Sequence, residues 1–421
     1  MEDFVAAVKV FSQDKNWTEL KVYINESASL IAKNASKIDS ALSALNPAEQ
    51  TLGYLGLILY KVSLPNCGDF ELLFNQIQKL IEVGCKNQLQ QGVDKFCYVC
   101  HFLTNCLIEQ KKTFRGILLM SEAILKAQNH PSELISIHAD LFQLCLASKC
   151  LKPAVKFLNI DVTDVNNEFD HFDAKTFLLY YYYGGMIYLA LKEYHKALFF
   201  FQTTVTTPAM VVSHIMLEAY KKYLLVSLFL HGKILPLPKY TSAVVSRYIK
   251  PLSSPYVELS EAYSSIDQDQ LRMVANKHQA VFQRDINVGL VKQVMSSLTK
   301  KRIQKLTKTF LTLSLVDMAT RVKLSNAREA EEYLLQMIED GTIHATIDQP
   351  AGMVSFHNNP ERYNTPEMLA KIDQEMKKCI QLNARLQKMD QEFQEKPQYI
   401  QRVMNMVHMD DPGKADEIMG S

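Results

Sequence analysis

The strongest constraint on the fold is a helical-hairpin pattern within residues 180–209, which read YYYYGGMIYLALKEYHKALFFFQTTVTTPA. Gly185 and Tyr188 lie one turn apart in a first predicted helix, and Ala197 and Phe201 lie one turn apart in a second. These positions match the G-x2-Y and A-x3-F elements of the tetratricopeptide (TPR) pattern. We interpret the four residues as the packing seam between two antiparallel helices.

The same stretch has two other interpretations, a cofactor pocket and a membrane-spanning helix. The apolar run from Phe177 to Leu191 has 15 residues, fewer than the ~20 that a helix needs to cross a bilayer. Four tyrosine hydroxyls make it still less suitable, and the paired glycines lack the surrounding pattern of a phosphate-binding loop. Helix packing is therefore the favoured interpretation, and we expect no membrane contact.

The hairpin pattern recurs along the chain. A shift of 43 residues superimposes LCLASKCLKPAVKFL, residues 144–158, on residues 187–201. The alignment gives the pairs Ala147 with Ala190, Lys149 with Lys192, Ala154 with Ala197, and Leu158 with Phe201. A further shift of 38 residues adds Gly116, Met120 and Ala123, and a weaker fourth copy spans residues 218–240. Irregular repeats of about 40 residues predict a mainly α fold, a right-handed superhelix of TPR-like hairpins.

Composition places few limits on the partners of the chain. Among 421 residues there are 46 basic and 45 acidic ones, so net charge gives no reason to bind nucleic acid or an anionic membrane. The first residues, MEDFVAAVKV, lack the basic start and the apolar core of a secretory signal. We therefore expect a cytoplasmic and nuclear protein in which the 8 cysteines are reduced.

The cluster Cys97-Tyr-Val-Cys100-His101 raises the question of a metal or nucleophilic site. A zinc site needs four ligands, usually from two such pairs, and the sequence has no second pair. The cysteines fall on an apolar face of a predicted helix, where a free thiol packs as a small hydrophobic group. Cys97 and His101 can share a face, but no acid that would orient the histidine is evident beside them. We expect a structural role.

The last third of the chain changes character. Apolar residues from Leu290 to Leu298 keep helical spacing, and a second helix is expected after Ser314, which has capping-box spacing to Asp317. A third helix is predicted between its N-cap Ser325 and Gly341. A Gln-Pro-Ala-Gly turn is then flanked by alternating apolar residues, which are Ile343, Ala345 and Ile347 before it and Val354 and Phe356 after it. Three helices and a hairpin predict a winged helix.

A winged helix raises the hypothesis of a nucleic-acid binder, which the charges can test. A helix that enters the major groove has to bring cations to the phosphates. Residues 326–340 contain one base, Arg328, and five acids, which are Glu329, Glu331, Glu332, Glu339 and Asp340. The preceding segment, residues 289–323, is basic and includes Lys300, Lys301 and Arg302. This segregation of charge can orient a protein partner, but a solvated helix face is its favoured interpretation. Nucleic-acid binding is kept as the competing hypothesis from another functional class.

Helical repeats that lead into a winged helix resemble the PCI module shared by subunits of the proteasome lid, the signalosome and a translation initiation factor. The strings YYYYGGMIY, TTPAMVVSHIMLEAYKKYLLVSL, KRIQKLTKTFLTLSL and MIEDGTIHATI are similar to the signalosome branch of this family. The likeness extends from about residue 20 to about residue 395. We therefore divide the chain into N-terminal repeats (1–195), a helical part of the PCI domain (196–288) and its winged-helix part (289–360).

The resemblance implies a non-catalytic scaffold in the complex that removes Nedd8 from the cullins of cullin-RING ubiquitin ligases. Its implied partners are other signalosome subunits, of PCI and metalloprotease type, and indirectly cullin-RING ligases, without a small-molecule substrate. A subunit of the proteasome lid or of the initiation factor is the alternative within the family. Winged helices of the family pair edge to edge, and an unpaired strand edge is a docking surface on physical grounds. The interface candidates are Ile343, Ile347, Val354 and Phe356.

The segment TPEMLAKIDQEMKKCIQLNARLQKMDQEF predicts a C-terminal helix within residues 364–395, with Thr365 as N-cap and Pro366 as first residue. An apolar stripe alternates steps of three and four residues around Asn383 and comprises Leu369, Ile372, Met376, Cys379, Leu386, Met389 and Phe393. Such a stripe is typical of a bundled helix, and the alternative is that the helix folds back on its own domain. Residues 396–421 lack sustained periodicity and are predicted to form a flexible tail.

The sequence contains none of the catalytic motifs that an isopeptidase or another hydrolase would need. Its 11 histidines include no H-x-H pair, and there is no H-E-x-x-H, G-x-x-x-x-G-K-[ST] or G-x-S-x-G. We therefore expect no catalytic residue, no bound metal and no cofactor in this chain. The metal site of the isopeptidase is expected in another subunit.

Overall fold

The computed structural model describes residues 2–27, 31, 34, 37–64, 69–165, 173–265, 267–357, 365–397 and 399–401. Most of these residues are helical, and the chain forms two compact units, Met1–Ile303 and Gln304–Ser421. The predicted order of helical repeats, a domain with a small hairpin and a long C-terminal helix is confirmed. Residues 402–421 of the predicted tail lie outside the described residues.

The first unit is built from helices that share one apolar core, a cluster of buried side chains running from Phe4 to Leu298. Its described helices up to residue 158 are α1 (Glu2–Gln13), α2 (Trp17–Glu26), α3 (Ile38–Ala44), α4 (Thr51–Ser63), α5 (Phe70–Val83), α6 (Lys86–Gln91), α7 (Val93–Glu109), α8 (Phe114–Ala127), α9 (Ile137–Ser148) and α10 (Lys152–Leu158). The next helices are α11 (Ala174–Ala190), α12 (Tyr194–Thr206), α13 (His214–His231), a π-helical turn (Val245–Ile249), α14 (Lys250–Leu252), α15 (Ser254–Ser264), α16 (Gln268–Lys277), α17 (Gln279–Arg284) and α18 (Val288–Thr307). Two short strands, β1 (Glu133–Leu134) and β2 (Asp164–Val165), pair in parallel.

Helices α11 and α12 form the hairpin in the aromatic stretch. A Cβ atom on Gly185 would lie 2.8 Å from the ring of Phe201, which is closer than van der Waals contact allows, so the ring occupies space that only glycine leaves free. Ala197 is fully buried on the same helix as Phe201. The hydroxyl of the buried Tyr188 donates to the carbonyl of Leu158, 2.9 Å away, and this bond ties the hairpin to α10.

The turns between paired helices repeat as well. Lys111, Lys149 and Lys192 have φ angles of 59°, 58° and 63°, and they are separated by the same 38 and 43 residues as the predicted repeats. After each of them, the next residue donates its N–H to the carbonyl five residues before it, at 2.9 to 3.0 Å. These are Schellman helix ends, in which one left-handed residue lets the terminal carbonyls find donors. The repeat is therefore visible in the backbone as well as in the side chains.

The predicted fourth hairpin at residues 218–240 is wrong in its second half. Helix α13 supplies the first half and ends at Gly232, whose φ of 68° suits a left-handed helix end. The segment that follows forms neither helix nor strand as far as residue 239. Pro236 and Pro238 account for this difference, because proline lacks the N–H donor and its ring clashes with the preceding helical turn.

A buried ion-pair network joins α13 to the loop after α17. The ammonium of Lys221 lies 2.7 Å from both Glu218 Oε1 and Asp285 Oδ2, and the side chains of Lys221 and Asp285 are each 6% exposed. Tyr256 donates its hydroxyl proton to the same Asp285 oxygen at 2.9 Å. Burial alone raises the pKa of Asp285, but the hydrogen bonds from Lys221 and Tyr256 outweigh it and hold that pKa below its usual value. Asp285 is therefore charged at neutral pH and fully engaged.

Replacing Asp285 with alanine is expected to destabilise the first unit by about 3 kcal/mol, because Lys221 would keep a buried charge with one partner fewer. Arg284→Ala is the matched control, since Arg284 contacts the same carboxylate with a side chain that is 75% exposed. An exposed pair contributes roughly 0–1 kcal/mol. Urea unfolding followed by circular dichroism measures both variants. Equal free energies of unfolding would contradict a dominant role for the buried pair.

The second unit combines a three-stranded antiparallel sheet with α19 (Leu315–Val322), α20 (Ala327–Glu339) and α21 (Pro366–Gln394). Its strands, in the spatial order β3-β5-β4, are β3 (Thr312–Ser314), β4 (Ala345–Asp348) and β5 (Met353–Phe356). The predicted hairpin is confirmed, with Ile347 opposite Val354. The prediction lacks β3, because three residues carry no alternation and their partner strand β5 follows only after two helices.

The two helix starts predicted in this unit have different outcomes. Ser314 caps α19, since its hydroxyl accepts a backbone N–H at 3.0 Å. The prediction that Ser325 caps α20 is wrong, because the N-cap is Asn326, one residue later, and its side chain makes no capping bond. Glu329 instead accepts the N–H of Ser325 at 3.1 Å. The predicted helix end is confirmed by Gly341, which has a φ of 67°.

The apolar stripe from Leu290 to Leu298 lies in α18, and its Val291, Val294 and Leu298 belong to the core of the first unit. The helix predicted to open the winged helix is therefore packed, over this stretch, among the helices of the first unit. The predicted division between residues 195 and 196 falls inside α12. The division of the chain at residues 195, 288, 360 and 395 stays a prediction.

Candidate functional site: assembly surfaces

Helix α21 presents an apolar stripe that no described part of its own chain covers. Thr365 begins the helix by accepting a backbone N–H with its side chain, and Pro366 is the first helical residue, as expected. No residue of this 29-residue helix is buried. Leu369, Met376 and Leu386 are 71%, 58% and 58% exposed. The other exposed members of the stripe are Ile372, Cys379, Met389 and Phe393.

Ion pairs along α21 contribute to the stability of this exposed helix. Lys377 lies 2.7 Å from Asp373, and Lys378 lies 3.1 Å from Glu375. Pairs at this spacing contribute ~0.2–0.5 kcal/mol each to an isolated helix. No described helix has the length and apolar composition needed to cross a membrane. Exposed apolar patches occur at protein–protein and membrane interaction sites, and this stripe is the candidate interaction surface of α21.

Most of the four predicted interface residues of the wing are buried within its own domain. Val354 and Phe356 are buried, and so is Ile343, which precedes β4 and is not part of it. Ile347 is half-buried. The surface that this wing leaves open is therefore the main-chain edge of β4, which has β5 on one side in the described sheet.

Two bases of the charged segments near the winged helix, Lys301 and Arg328, contact other groups of this chain. The ammonium of Lys301 lies 5.5 Å from the ring centre of Tyr263 and packs against Gly232, which ends α13. The positive charge of Lys301 is therefore bound within the first unit, at the C-terminal end of α13, where a helix favours positive charge. On α20, Arg328 lies 3.8 Å from Glu332, so the single base of that helix faces an acid. The geometry gives the nucleic-acid hypothesis no support.

The Cys97, Cys100 and His101 cluster is partly as predicted and partly not. Both thiols are buried, and burial raises the pKa of Cys97 to about 12 and that of Cys100 well above its usual value. They are thiols and not thiolates at neutral pH, which disfavours nucleophilic and metal-binding roles. The expectation that no acid orients His101 is wrong, because Asp140 lies 2.8 Å from its Nδ1 atom. This contact could not be predicted from sequence spacing, because the two residues are 39 positions apart and lie on different helices.

Metal-binding geometry is likewise missing from the described residues, which contain no group of three or more histidine, cysteine, aspartate or glutamate side chains able to hold an ion. The candidate assembly surfaces are the stripe of α21 and the edge of β4.

Three family patterns match the chain in order. The N-terminal helical repeats of COP9 signalosome complex subunit 3 match residues 14–245, and the PCI domain matches residues 275–358. The C-terminal helix of COP9 signalosome complex subunit 3-like proteins matches residues 365–392, which is most of α21. The three patterns therefore cover, in order, the helical repeats, the domain with the small hairpin and the long C-terminal helix.

Two relatives agree with this assignment. COP9 signalosome complex subunit 3 of Drosophila melanogaster is 39% identical over 421 residues, which cover 96% of this chain and 94% of the relative. COP9 signalosome complex subunit 3 of Arabidopsis thaliana is 37% identical over 372 residues, which cover 86% of this chain and 84% of the relative. Identity at this level over nearly the whole length shows that the chain belongs to the COP9 signalosome complex subunit 3 family.

Proposed function

We propose that this chain is a non-catalytic scaffold subunit of the COP9 signalosome, the complex that removes Nedd8 from the cullins of cullin-RING ubiquitin ligases. The observation that carries the proposal is the stripe of α21, whose Leu369, Met376 and Leu386 are all more than half exposed. An apolar strip that is left open along a whole helix is suited to a bundle with helices of other chains. The repeats of the first unit and the PCI domain form the folded part of the chain to which that helix is attached.

The partners in this proposal are other signalosome subunits, of PCI and metalloprotease type, and cullin-RING ligases are reached indirectly. We place the metal that cleaves the isopeptide bond in another subunit, since this sequence has no H-x-H pair and its Cys97 and Cys100 are buried thiols. The edge of β4 supports pairing with a winged helix of a neighbouring subunit. The place of action is the cytoplasm and the nucleus.

The experiment that tests this function is affinity purification of the tagged chain from its own cells, followed by mass spectrometry and a cullin deneddylation assay. We expect signalosome subunits in the eluate and Nedd8-removing activity that is lost when a metal chelator is added. A chain that elutes alone from gentle extracts, or with subunits of the proteasome lid or the initiation factor, would overturn the proposal.

A further inference from the structure

The helical repeats contain a small polar pocket that the scaffold function does not use. It is an open pocket where α7, α9 and α11 meet, with a volume of about 210 Å³. Its polar lining residues are Tyr98, His101, Ser136, Asp140, Asp173, Lys175 and Thr176. Pockets for drug-sized molecules begin at roughly 300 Å³, so this one suits a single side-chain group.

Asp140 is the residue in this pocket that has a buried oxygen without a hydrogen-bond partner. Its side chain is 6% exposed, and its Oδ1 atom is engaged by Nδ1 of His101 at 2.8 Å. Its Oδ2 atom is buried and has no hydrogen-bond partner. Burial of a carboxylate oxygen without a donor is costly, because the lost hydration is not replaced. The pocket wall therefore holds an acceptor in need of a donor.

The surrounding groups define the donor that would fit. Asp173 is the N-cap residue of α11, but its carboxylate makes no capping bond, so it is a second acceptor at the pocket. His101 has a side chain that is 55% exposed, and rotation of its ring would open Asp140 to an incoming group. The lining also contains one cation, Lys175, which the two acids outnumber; this balance disfavours an anion, and no metal-holding cluster occurs among the described residues. A planar cation with several N–H donors can engage both carboxylates and is less strongly hydrated than an ammonium group.

We propose that this pocket receives the guanidinium group of an arginine side chain from another subunit of the assembly. The guanidinium donates to Asp140 in place of, or together with, His101, and to Asp173 at the rim. The identity of the donor chain rests on the proposed function, but the chemistry of the pocket does not. The pocket is thus an anchor point on the repeats, distinct from α21 and the wing.

The pocket chemistry is tested on the isolated full-length chain carrying ¹³C-labelled histidine, with methylguanidinium as the probe. The His101 resonance, identified by its loss in His101→Gln, is expected to shift and saturate. Asp140→Asn is expected to weaken the probe at least about tenfold, as loss of a charged hydrogen bond does. Glu193→Gln removes the same charge at the N-cap position of α12, outside the pocket lining, and should change nothing.

Some outcomes of this experiment would contradict the proposal, and a second variant is needed if Asp140→Asn disturbs the fold. An absent or non-saturating shift, equal affinity in Asp140→Asn, or equal shifts with methylammonium or sodium ions would overturn an arginine pocket. If Asp140→Asn disturbs the other histidine resonances, Asp173→Asn replaces it, with about threefold weaker binding expected because a rim carboxylate contributes less. Failure here would leave the scaffold function untouched.

The partner is tested separately in the purified assembly. Asp140→Asn is expected to release at least one subunit at a lower salt concentration than Glu193→Gln does, because an ion pair between chains would be lost. Identical subunit retention in the two variants would overturn the assignment of the arginine to another subunit.

Discussion

Placing charges on the apolar stripe of α21 is expected to remove the chain from its complex without unfolding it. The variant carries Met376→Glu and Leu386→Glu, at two positions that are each 58% exposed in the free chain. Burial of such side chains in a helix bundle contributes about 1.5–3 kcal/mol each, and a buried unpaired carboxylate adds a further penalty. Two substitutions are therefore enough to reduce co-purification of partner subunits by more than tenfold.

A matched control separates this effect from a change in net charge. Gln374→Glu and Gln381→Glu add the same two charges to α21, on the face opposite the stripe. The control is expected to retain its partners at the level of the unmodified chain. Both proteins should show the same helical circular dichroism, since neither substitution touches a buried residue. Full retention of partners by the Met376 and Leu386 variant would show that α21 is not the anchor.

Removing the ring of Phe201 is expected to destabilise the first unit by about 3–5 kcal/mol. This ring is fully buried against Gly185, which has no side chain to move into the cavity that alanine would leave. Urea unfolding monitored by circular dichroism gives the change in free energy. The large value is expected because the seam lies between two helices and relaxes little.

Phe199→Ala provides the control within the same helix. Phe199 is 61% exposed, so its truncation removes little buried surface and is expected to cost less than about 1 kcal/mol. Both substitutions alter helix propensity equally, and the difference between them measures burial at the seam. Similar losses of stability in the two variants would contradict the packing role assigned to Phe201.

Much of the fold can be predicted from the sequence because its signals are local. The spacing of Gly185 and Tyr188 lies within one hairpin, and the match of Lys149 to Lys192 compares the same local pattern in two successive repeats. The stripe of α21 is equally local, since helical period alone places its members on one face. Such features need no knowledge of what is adjacent in space.

The features that escape prediction depend on contacts between distant segments. Lys221 and Asp285 are 64 residues apart, and His101 and Asp140 are 39 residues apart. β3 forms because β5 offers it a partner, and its three residues have no strand signal of their own. The burial of Val354 in its own domain cannot be predicted either, because alternation identifies the two faces of a strand but does not show which face is covered.

The open stripe of α21 also makes the chain dependent on the abundance of its partners. A copy synthesised in excess carries an apolar strip along a helix about 43 Å long, and such a surface favours self-association. In the proposed function, partner binding removes the strip from water and stabilises the folded chain by mass action. Balanced stoichiometry among the subunits is therefore a condition for the solubility of this one.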